Sequence, residues 1–329
     1  MGRGHPCGAR ADRMSAAVLQ NALGLMKAPL TGAMVAGLLA ATPARAIDAS
    51  ACRELARKYE QIRADIASVQ TNALLFSAAE KGCTPLARAL LGAGASVQAR
   101  DRLGDRPLTQ AARSGHLELV ELFLAQGAPI DARNIAGSTA LHVAAENDRL
   151  AVVRLLLERG ADANIAGRSG VTPLSAAAFK GNDRIVEHLL ARGADAAAMD
   201  LTGKAPIAYA ASLGYTRIVQ RLLDAGIDVN ARYGNALTAL MWAAGYAEGA
   251  GASDAESVVK LLIDRGARID AVDDRGRSAL MIAAESGHAA MVALLLSRGA
   301  DKDQKDKDGK TAADLAADAG VRAALANAR

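Results

Sequence analysis

Apolar residues between positions 134 and 166 form two short runs at helical spacing, separated by a polar break. The first run contains Leu141 and Val143, and it begins after Thr139, a residue type preferred at helix N-termini. The second run, at positions 152–157, ends shortly before Gly160, and glycine can end a helix in the left-handed conformation. The segment is therefore predicted to fold as turn, helix, turn, helix, turn.

The same pattern recurs along the chain with a period of 33 residues. Apolar residues equivalent to Leu141 occur every 33 residues before and after it, except for one interval of 40 residues. The equivalent residues are Leu108, Leu141, Leu174, Ile207, Leu240, Leu280 and Ala313, and the glycine after the second helix recurs in step as Gly94, Gly127, Gly160, Gly193, Gly226, Gly266 and Gly299. A fixed period of this length predicts a repeat architecture in which each unit packs on its neighbours.

The repeated unit resembles the ankyrin repeat. The segments that carry the resemblance are Thr139-Ala-Leu-His142 and Thr172-Pro-Leu174 at the first helix, and Arg192-Gly-Ala-Asp195 after the second. The resemblance covers roughly residues 68 to 329. It implies an all-α solenoid of helix-turn-helix repeats with β-hairpin-like turns, in which the turns and first helices form a concave groove.

Three segments are expected in the chain: a leader with a signal peptide at 1–46, an N-terminal capping helix at 47–69, and the ankyrin-repeat domain at 70–329. The capping helix is predicted from one apolar stripe: Cys52, Leu55, Tyr59, Ile62, Ile66 and Val69. The repeats are placed at about 70–100, 101–133, 134–166, 167–199, 200–232, 233–272 and 273–305, with a C-terminal cap at 306–329. The seven surplus residues of 233–272 are predicted to lie within a glycine-rich mobile loop at 246–253.

The N-terminal segment has the pattern of a secretory signal. An apolar run at 30–41 follows Lys27 and precedes Pro43 and a small-x-small site, which predicts cleavage after Ala46 and delivery to a bacterial-type periplasm. The run of about 12 residues is too short to span a membrane, which needs ~20, so no membrane span is expected in the mature chain. Secretion to the medium and a lipid anchor at Cys52 are the alternatives. Translation could begin at Met1, Met14 or Met26.

Two cysteines, Cys52 and Cys83, remain after the predicted cleavage, and in an oxidising compartment they are candidates for a disulfide. A straight capping helix would carry Cys52 ~25 Å away from its C-terminal end, whereas bonded cysteines have Cα atoms within ~7 Å. The bond therefore requires a bent or offset helix. Two small buried thiols are the alternative.

Charge and motif content predict binding without catalysis. The net charge is +4, but the first 46 residues hold five basic residues and one acidic residue, which leaves 34 of each sign in the remainder. A nucleic-acid-binding face is therefore not expected. No catalytic motif and no metal-ligand spacing occurs in the sequence, so neither enzymatic activity nor a metal or cofactor is expected. His142 is assigned to hydrogen bonding within and between turns, as is usual in the resembled family.

A protein partner is the expected ligand of a monomeric chain. Either a periplasmic enzyme or an envelope protein is expected in the concave groove; a secreted effector that binds host or competitor proteins is the alternative. Six of the nine aromatic residues fall between 179 and 246, and Tyr209 and Trp242 hold the same repeat position, so they should lie side by side or fill space between helices. The predicted protein-binding residues are Arg102, Arg113, Ile135, Glu146, Arg168, Phe179, Leu201, Tyr209, Leu213, Leu237, Trp242, Tyr246, Arg275 and Arg277.

Overall fold

The computed structural model describes residues 49–64, 67–246, 251–316 and 318–327, and this part of the chain is helical with no β-strand. The leader, the predicted cleavage site at Ala46 and the candidate start residues lie outside the described residues. Helix α1 spans Ala49–Ile62. Eight helix pairs follow: α2 Ser68–Lys81 and α3 Thr84–Gly92; α4 Pro107–Ser114 and α5 Leu117–Ala125; α6 Ala140–Glu146 and α7 Leu150–Glu158; α8 Pro173–Lys180 and α9 Asp183–Ala191; α10 Pro206–Ser212 and α11 Thr216–Asp224; α12 Ala239–Ala244 and α13 Ala252–Asp264; α14 Ala279–Glu285 and α15 Ala289–Ser297; α16 Ala312–Leu315 and α17 Ala319–Asn327.

Short side chains at fixed positions begin and end these helices, as the sequence predicts. Thr139 Oγ1 accepts a hydrogen bond from the backbone N–H of His142 at 3.2 Å, which caps α6. Thr172 caps α8 in the same way, and Pro173 occupies the first turn, where the missing N–H has no intrahelical acceptor. After α7, Gly160 has φ +86°, in the left-handed region.

The first helices of successive pairs pack on one another, and so do the second helices, which gives two parallel rows. Pairs of alanines on the first helices, such as Ala144 and Ala145, are fully buried and allow the backbones to approach closely. The second helices supply larger apolar side chains to the space between the rows, for example Val153 and Leu156. The resulting core is continuous from one repeat to the next, and each repeat depends on its neighbours for burial.

Hydrogen bonds tie the turns into a row. In a typical turn, the backbone N–H of Asp200 donates to the carbonyl of Lys204 at 3.0 Å, and Asp200 Oδ1 accepts from the N–H groups of Thr202 at 2.7 Å and Lys204 at 3.0 Å. One backbone hydrogen bond joins each pair of adjacent turns along residues 101–310: Ile135 N to Leu103 O, Arg168 N to Ala136 O, Leu201 N to Ser169 O, Gly234 N to Gly203 O, Asp274 N to Asn235 O and Lys307 N to Arg275 O. Side chains on the turns are therefore held at a regular spacing.

In four repeats, the side chain of the residue just before the second helix contacts a backbone carbonyl of the repeat before it. His116 Nε2 lies 2.9 Å from the carbonyl of Glu80, and His288 Nδ1 lies 3.1 Å from that of Ala244. Two other side chains donate at the same repeat position: Arg149 Nε to Arg113 O at 3.0 Å and Asn182 Nδ2 to Ala145 O at 2.8 Å. These two histidines accordingly hold the stack together.

The predicted capping helix at 47–69 is wrong in its extent. Helix α1 ends at Ile62, Ala67 has an extended backbone, and Val69 lies in α2 with 77% of its side chain exposed. The stripe continued through Ile66 and Val69 because residues 60–70 contain no glycine or proline to mark the break. Tyr59 of α1 is buried against the first pair, so the shorter helix does cover that end of the stack.

The break after α1 brings Cys52 next to Cys83. The two sulfur atoms are 2.02 Å apart and the Cα atoms 5.3 Å apart, so a disulfide joins α1 to the start of α3. The separation expected for a straight helix does not arise, since α1 ends at Ile62 and packs against α2, with Cys52 Sγ 4.0 Å from the carbonyl oxygen of Lys81 at the end of α2. A covalent bond thus fixes the capping helix to the first repeat.

The insertion in repeat 233–272 differs from the predicted loop. Ala252 and Ser253 belong to α13, which has 13 residues where α11 has 9. Part of the surplus therefore adds one helical turn to the second helix, and Gly251 precedes that turn. Residues 247–250 lie outside the described residues.

Candidate protein-binding site

The turns and the first helices together form one face of the stack, called here the turn-side surface. All fourteen predicted binding residues lie on these elements or directly after them. Seven are exposed, namely Arg102, Glu146, Ile135, Arg168, Phe179, Leu201 and Arg275, and seven are half-buried, namely Arg113, Tyr209, Leu213, Leu237, Trp242, Tyr246 and Arg277. Among the apolar ones, Leu201 is 80% exposed, Ile135 55% and Phe179 47%.

Three of the predicted arginines are engaged by carboxylates of the turns. Arg113 forms an ion pair with the buried Asp105, with Nη2 and Oδ2 2.6 Å apart. Arg275 pairs with the buried Asp273 at 3.2 Å. Arg277 pairs with Glu285 of α14 and with the buried Asp306 of the next turn. These arginines compensate buried charges, so their first role is in holding the turns.

Tyr209 is anchored by the turn that precedes its helix. Its hydroxyl donates a hydrogen bond to Oδ2 of Asp200, while Oδ1 of the same carboxylate is occupied by Thr202 and by the backbone N–H of Lys204. Asp200 is 8% exposed, so its charge depends on these donors. The aromatic ring of Tyr209 is consequently held in one position on the turn-side surface.

The two groups of this pair have displaced pKa values. Burial, the hydrogen bond to Asp200 and the charge of Asp200 raise the pKa of Tyr209 far above its ordinary value. Burial alone would raise the pKa of Asp200, but hydrogen bonds from Tyr209, Thr202 and Lys204 lower it below its ordinary value. At neutral pH Tyr209 is therefore a hydroxyl donor and Asp200 a carboxylate.

Lys204 connects the aromatic residues of neighbouring repeats. Its ammonium nitrogen lies 5.5 Å from the ring centroid of Tyr209 and 4.9 Å from that of Trp242. Tyr209 also makes an edge-to-face contact with Phe179, with centroids 5.7 Å apart, and the ammonium of Lys180 is 5.6 Å from the Phe179 ring. The aromatic–lysine cluster is defined as Phe179, Lys180, Leu201, Lys204, Tyr209 and Trp242.

The rings of Tyr209 and Trp242 both lie near the ammonium group of Lys204, but they do not stack on each other. Among the described residues, the ring–ring contacts are those of Phe179 with Tyr209 and of Tyr246 with His288. The Tyr246 and His288 rings are stacked, with centroids 3.7 Å apart. Because His288 also contacts the carbonyl of Ala244, Tyr246 packs on a residue that ties two repeats together.

The structure does not assign His142 the predicted turn hydrogen bonds. The side chain is 6% exposed, and Nδ1 has no hydrogen-bond partner among the described residues. Burial lowers the pKa of His142, against a smaller opposing effect of Glu146. The imidazole is therefore neutral at pH 7 and packs as a buried side chain.

The repeat pattern did not mark Asp200 or Lys204 as a binding residue, although both organise this surface. Each has a signal that could have identified it: the aspartate at the first turn position recurs at Asp101, Asp273 and Asp306, and Lys204 precedes the first helix that carries Tyr209. Within the described residues, no three histidine, cysteine or acidic side chains are grouped as a metal site would require. No helix in the same part of the chain is both long and apolar enough to cross a membrane.

Comparisons with known proteins agree with this architecture. The family model for ankyrin repeats (3 copies) matches residues 75–167, 174–252 and 240–326. The crystal structure of the human ASB11 ankyrin repeat domain is similar, with a TM-score of 0.62 and 29% sequence identity, over 68% of this chain and 98% of that one. No match was found among curated proteins.

Ankyrin arrays are scaffolds for protein–protein interaction, and their targets are unrelated to one another. The family match covers more than half of the sequence and the observed repeats have the corresponding helix pairs, so the chain belongs to the ankyrin-repeat family.

Proposed function

We propose that this protein binds a partner protein in the periplasm through the turn-side surface, centred on the aromatic–lysine cluster. The observation that carries the proposal is the exposure of Phe179 and Leu201 beside the half-buried rings of Tyr209 and Trp242. Large aromatic and apolar side chains that are partly exposed in a monomer are the usual centres of protein interfaces. The partner would be an enzyme or an envelope protein of the same compartment.

The disulfide supports export. Disulfides form and persist in oxidising compartments and are rare in the cytosol. The bond between Cys52 and Cys83 therefore fits the signal sequence predicted before Ala46. N-terminal sequencing of the mature protein tests this: a chain that begins at Ile47 supports export, and an uncleaved chain in the cytosol rejects it.

The disulfide also bears on the proposed lipid anchor. The Sγ atom of Cys52 is bonded to Cys83, and a sulfur atom in a disulfide has no bond left for a lipid thioether. The two fates of Cys52 are mutually exclusive. Intact-mass measurement of the mature chain distinguishes them, because a lipidated chain is heavier and partitions into detergent.

Affinity capture tests the binding role. Wild-type protein and a Phe179→Ala/Leu201→Ala double variant are used in parallel to capture proteins from a periplasmic extract, and the eluates are compared by mass spectrometry. Both side chains are exposed, so the variant is expected to fold normally. Leu117→Ala is the matched control, since Leu117 is 37% exposed on the second-helix row. A partner held by the wild type and the control but lost by the double variant is expected.

Alanine at Tyr209 or Trp242 separates binding from packing. Loss of partner affinity in a folded variant supports an interface role, whereas weakened folding with unchanged affinity means that the rings only fill space between helices.

The second candidate function, a secreted effector that binds host or competitor proteins, predicts accumulation of the mature chain in the culture medium. Fractionation of medium and periplasm decides between the two locations.

A further inference from the structure

The centre of the turn-side surface carries positive charges without compensating acids. Arg168, Lys180 and Lys204 form no ion pair with any described residue. Asp200, four residues before Lys204, is buried and already accepts hydrogen bonds from Thr202, Lys204 and Tyr209. Asp183, three residues after Lys180, pairs with Arg221. The exposed carboxylates on the first helices and turn tips of the flanking repeats are Glu146, Asp274 and Glu285, whereas Asp162 and Asp195 are exposed where the turns leave the second helices.

Lys204 is held in position but not neutralised. Its backbone N–H is bonded to Asp200, and its ammonium group lies over the rings of Tyr209 and Trp242. Contact with an aromatic face restrains a cation without using its three N–H donors in hydrogen bonds. The fixed ammonium is therefore prepared to bind an anion, with less loss of side-chain freedom than a mobile surface lysine would suffer.

A second donor belongs to one of the rings under this ammonium. Nε1 of Trp242 is buried and has no hydrogen-bond partner among the described residues, although an indole N–H usually finds an acceptor when it is buried. The ring that carries this donor is the one closest to the Lys204 ammonium. Because Nε1 is shielded from solvent, the ammonium of Lys204 is the donor that a partner meets first, and a carboxylate, with two acceptor oxygens, satisfies its chemistry.

Apolar surface flanks these donors. Phe179 is 47% exposed and contacts Tyr209, and Leu201 is 80% exposed on the turn that also holds Lys204. Aliphatic or aromatic side chains of a partner would remove this surface from water. We infer that the aromatic–lysine cluster binds a segment of a partner protein in which an aspartate or glutamate is flanked by apolar residues. This inference rests on the proposed function and names the chemistry of the partner.

Selection of peptides tests the inference even while the partner is unidentified. Random linear peptides displayed on phage are selected on the immobilised, oxidised full-length protein. Enrichment of sequences with an acidic residue between apolar residues is expected. For a synthetic peptide of this kind, replacing the acidic residue with its amide should weaken binding by about tenfold or more, the effect expected for loss of one charged contact.

Variants of the protein locate the contact. Lys204→Met should weaken binding of the acidic peptide by about tenfold, and it should abolish the difference in affinity between the acidic peptide and its amide form. Lys204→Glu should select basic peptides instead. The matched control is Lys260→Met, because Lys260 is exposed on α13 of the second-helix row. This variant should bind the acidic peptide as tightly as the wild type does. Circular dichroism and thermal unfolding verify that each variant is folded.

Failure of the inference and failure of the proposed function give different results. Peptides that depend on Phe179 and Trp242 but show no preference for acidic residues overturn the inference and leave the binding surface in place. If every selected peptide binds all the cluster variants as tightly as it binds the wild type, both the inference and the proposed binding surface are overturned. A selection that yields no peptide dependent on Lys204 also overturns the inference.

Discussion

The hydroxyl of Tyr209 donates a hydrogen bond to the carboxylate of Asp200, nine residues earlier in the chain. This bond links the turn of one repeat to the exposed side of its first helix. It gives a buried carboxylate its fourth hydrogen bond and fixes the ring that contacts Phe179 and Lys204. The fold and the candidate binding surface therefore share one interaction.

Tyr209→Phe should reduce the free energy of unfolding by about 1.5 to 3 kcal/mol at neutral pH, because it removes a hydrogen bond to a charged, buried group. Urea denaturation followed by circular dichroism measures the change. Tyr215→Phe is the control, since the Tyr215 hydroxyl donates to no residue in the described ranges. Equal losses in the two variants would contradict the assigned role of the Tyr209 hydroxyl.

The contribution of Asp200 should depend on pH in a defined direction. The pKa of Asp200 in the folded protein lies below its value in the unfolded chain, so its stabilisation is present above about pH 3.9 and is lost as pH falls through the folded-state pKa. The difference in unfolding free energy between wild type and Tyr209→Phe should therefore be constant near neutral pH and shrink in strong acid. A difference that stays constant into strong acid would argue against ionised Asp200 as the acceptor.

His142 should make the protein less stable in mild acid. Its pKa is lowered by burial, so below about pH 6.5 the unfolded chain takes up a proton that the folded site does not, and the free energy of unfolding falls until the lower folded-state pKa is reached. His142→Met should remove this dependence. Methionine is a suitable replacement because Met241 and Met281 are buried at the same repeat position. Parallel pH profiles of the two proteins would refute the prediction.

The turn at residues 233–237 contains an unfavourable backbone conformation. Ala236 has φ +59° at the repeat position where other turns have glycine, such as Gly203 with φ +77°. Ala236→Gly should raise the free energy of unfolding by about 0.5 to 1 kcal/mol, since glycine adopts this region without a Cβ clash. The reverse substitution, Gly203→Ala, should destabilise, because its Cβ would approach Gly234 Cα to 2.7 Å. Thermal unfolding of both variants should show shifts of opposite sign.

Reduction of the disulfide should loosen the N-terminal end. The bond closes a segment with a sequence separation of 31, for which chain entropy predicts about 3 to 4 kcal/mol of stabilisation. Because repeats interact with their neighbours, the loss should be concentrated in α1 and α2. Hydrogen exchange with and without reductant measures it, and Cys52→Ser should be insensitive to reductant. Unchanged protection of α1 on reduction would show that packing alone holds the capping helix.

The regular part of the fold could be predicted from local sequence signals. Thr139 and Thr172 cap the helices they precede, Pro173 lies in a first turn, and Gly160 takes the left-handed conformation. Phe179, Tyr209 and Trp242 were selected from their positions in the repeat, and the structure places them on one surface; their role in binding stays a prediction. The break after Ile62 was not predicted, because no glycine, proline or polar interruption of the stripe marks it.

The amino-acid sequence was sufficient to define the period, the helix pairs and the order in which repeats pack. It was sufficient because capping depends on residues three or four apart, and repeat contacts join positions about 33 residues apart in nearly every copy. The three-dimensional structure was needed to show that Cys52 meets Cys83, that the insertion lengthens α13, and that Lys204 lies between Tyr209 and Trp242. These features depend on where the chain reverses and how side chains from two repeats pack together, and neither follows from spacing along the sequence.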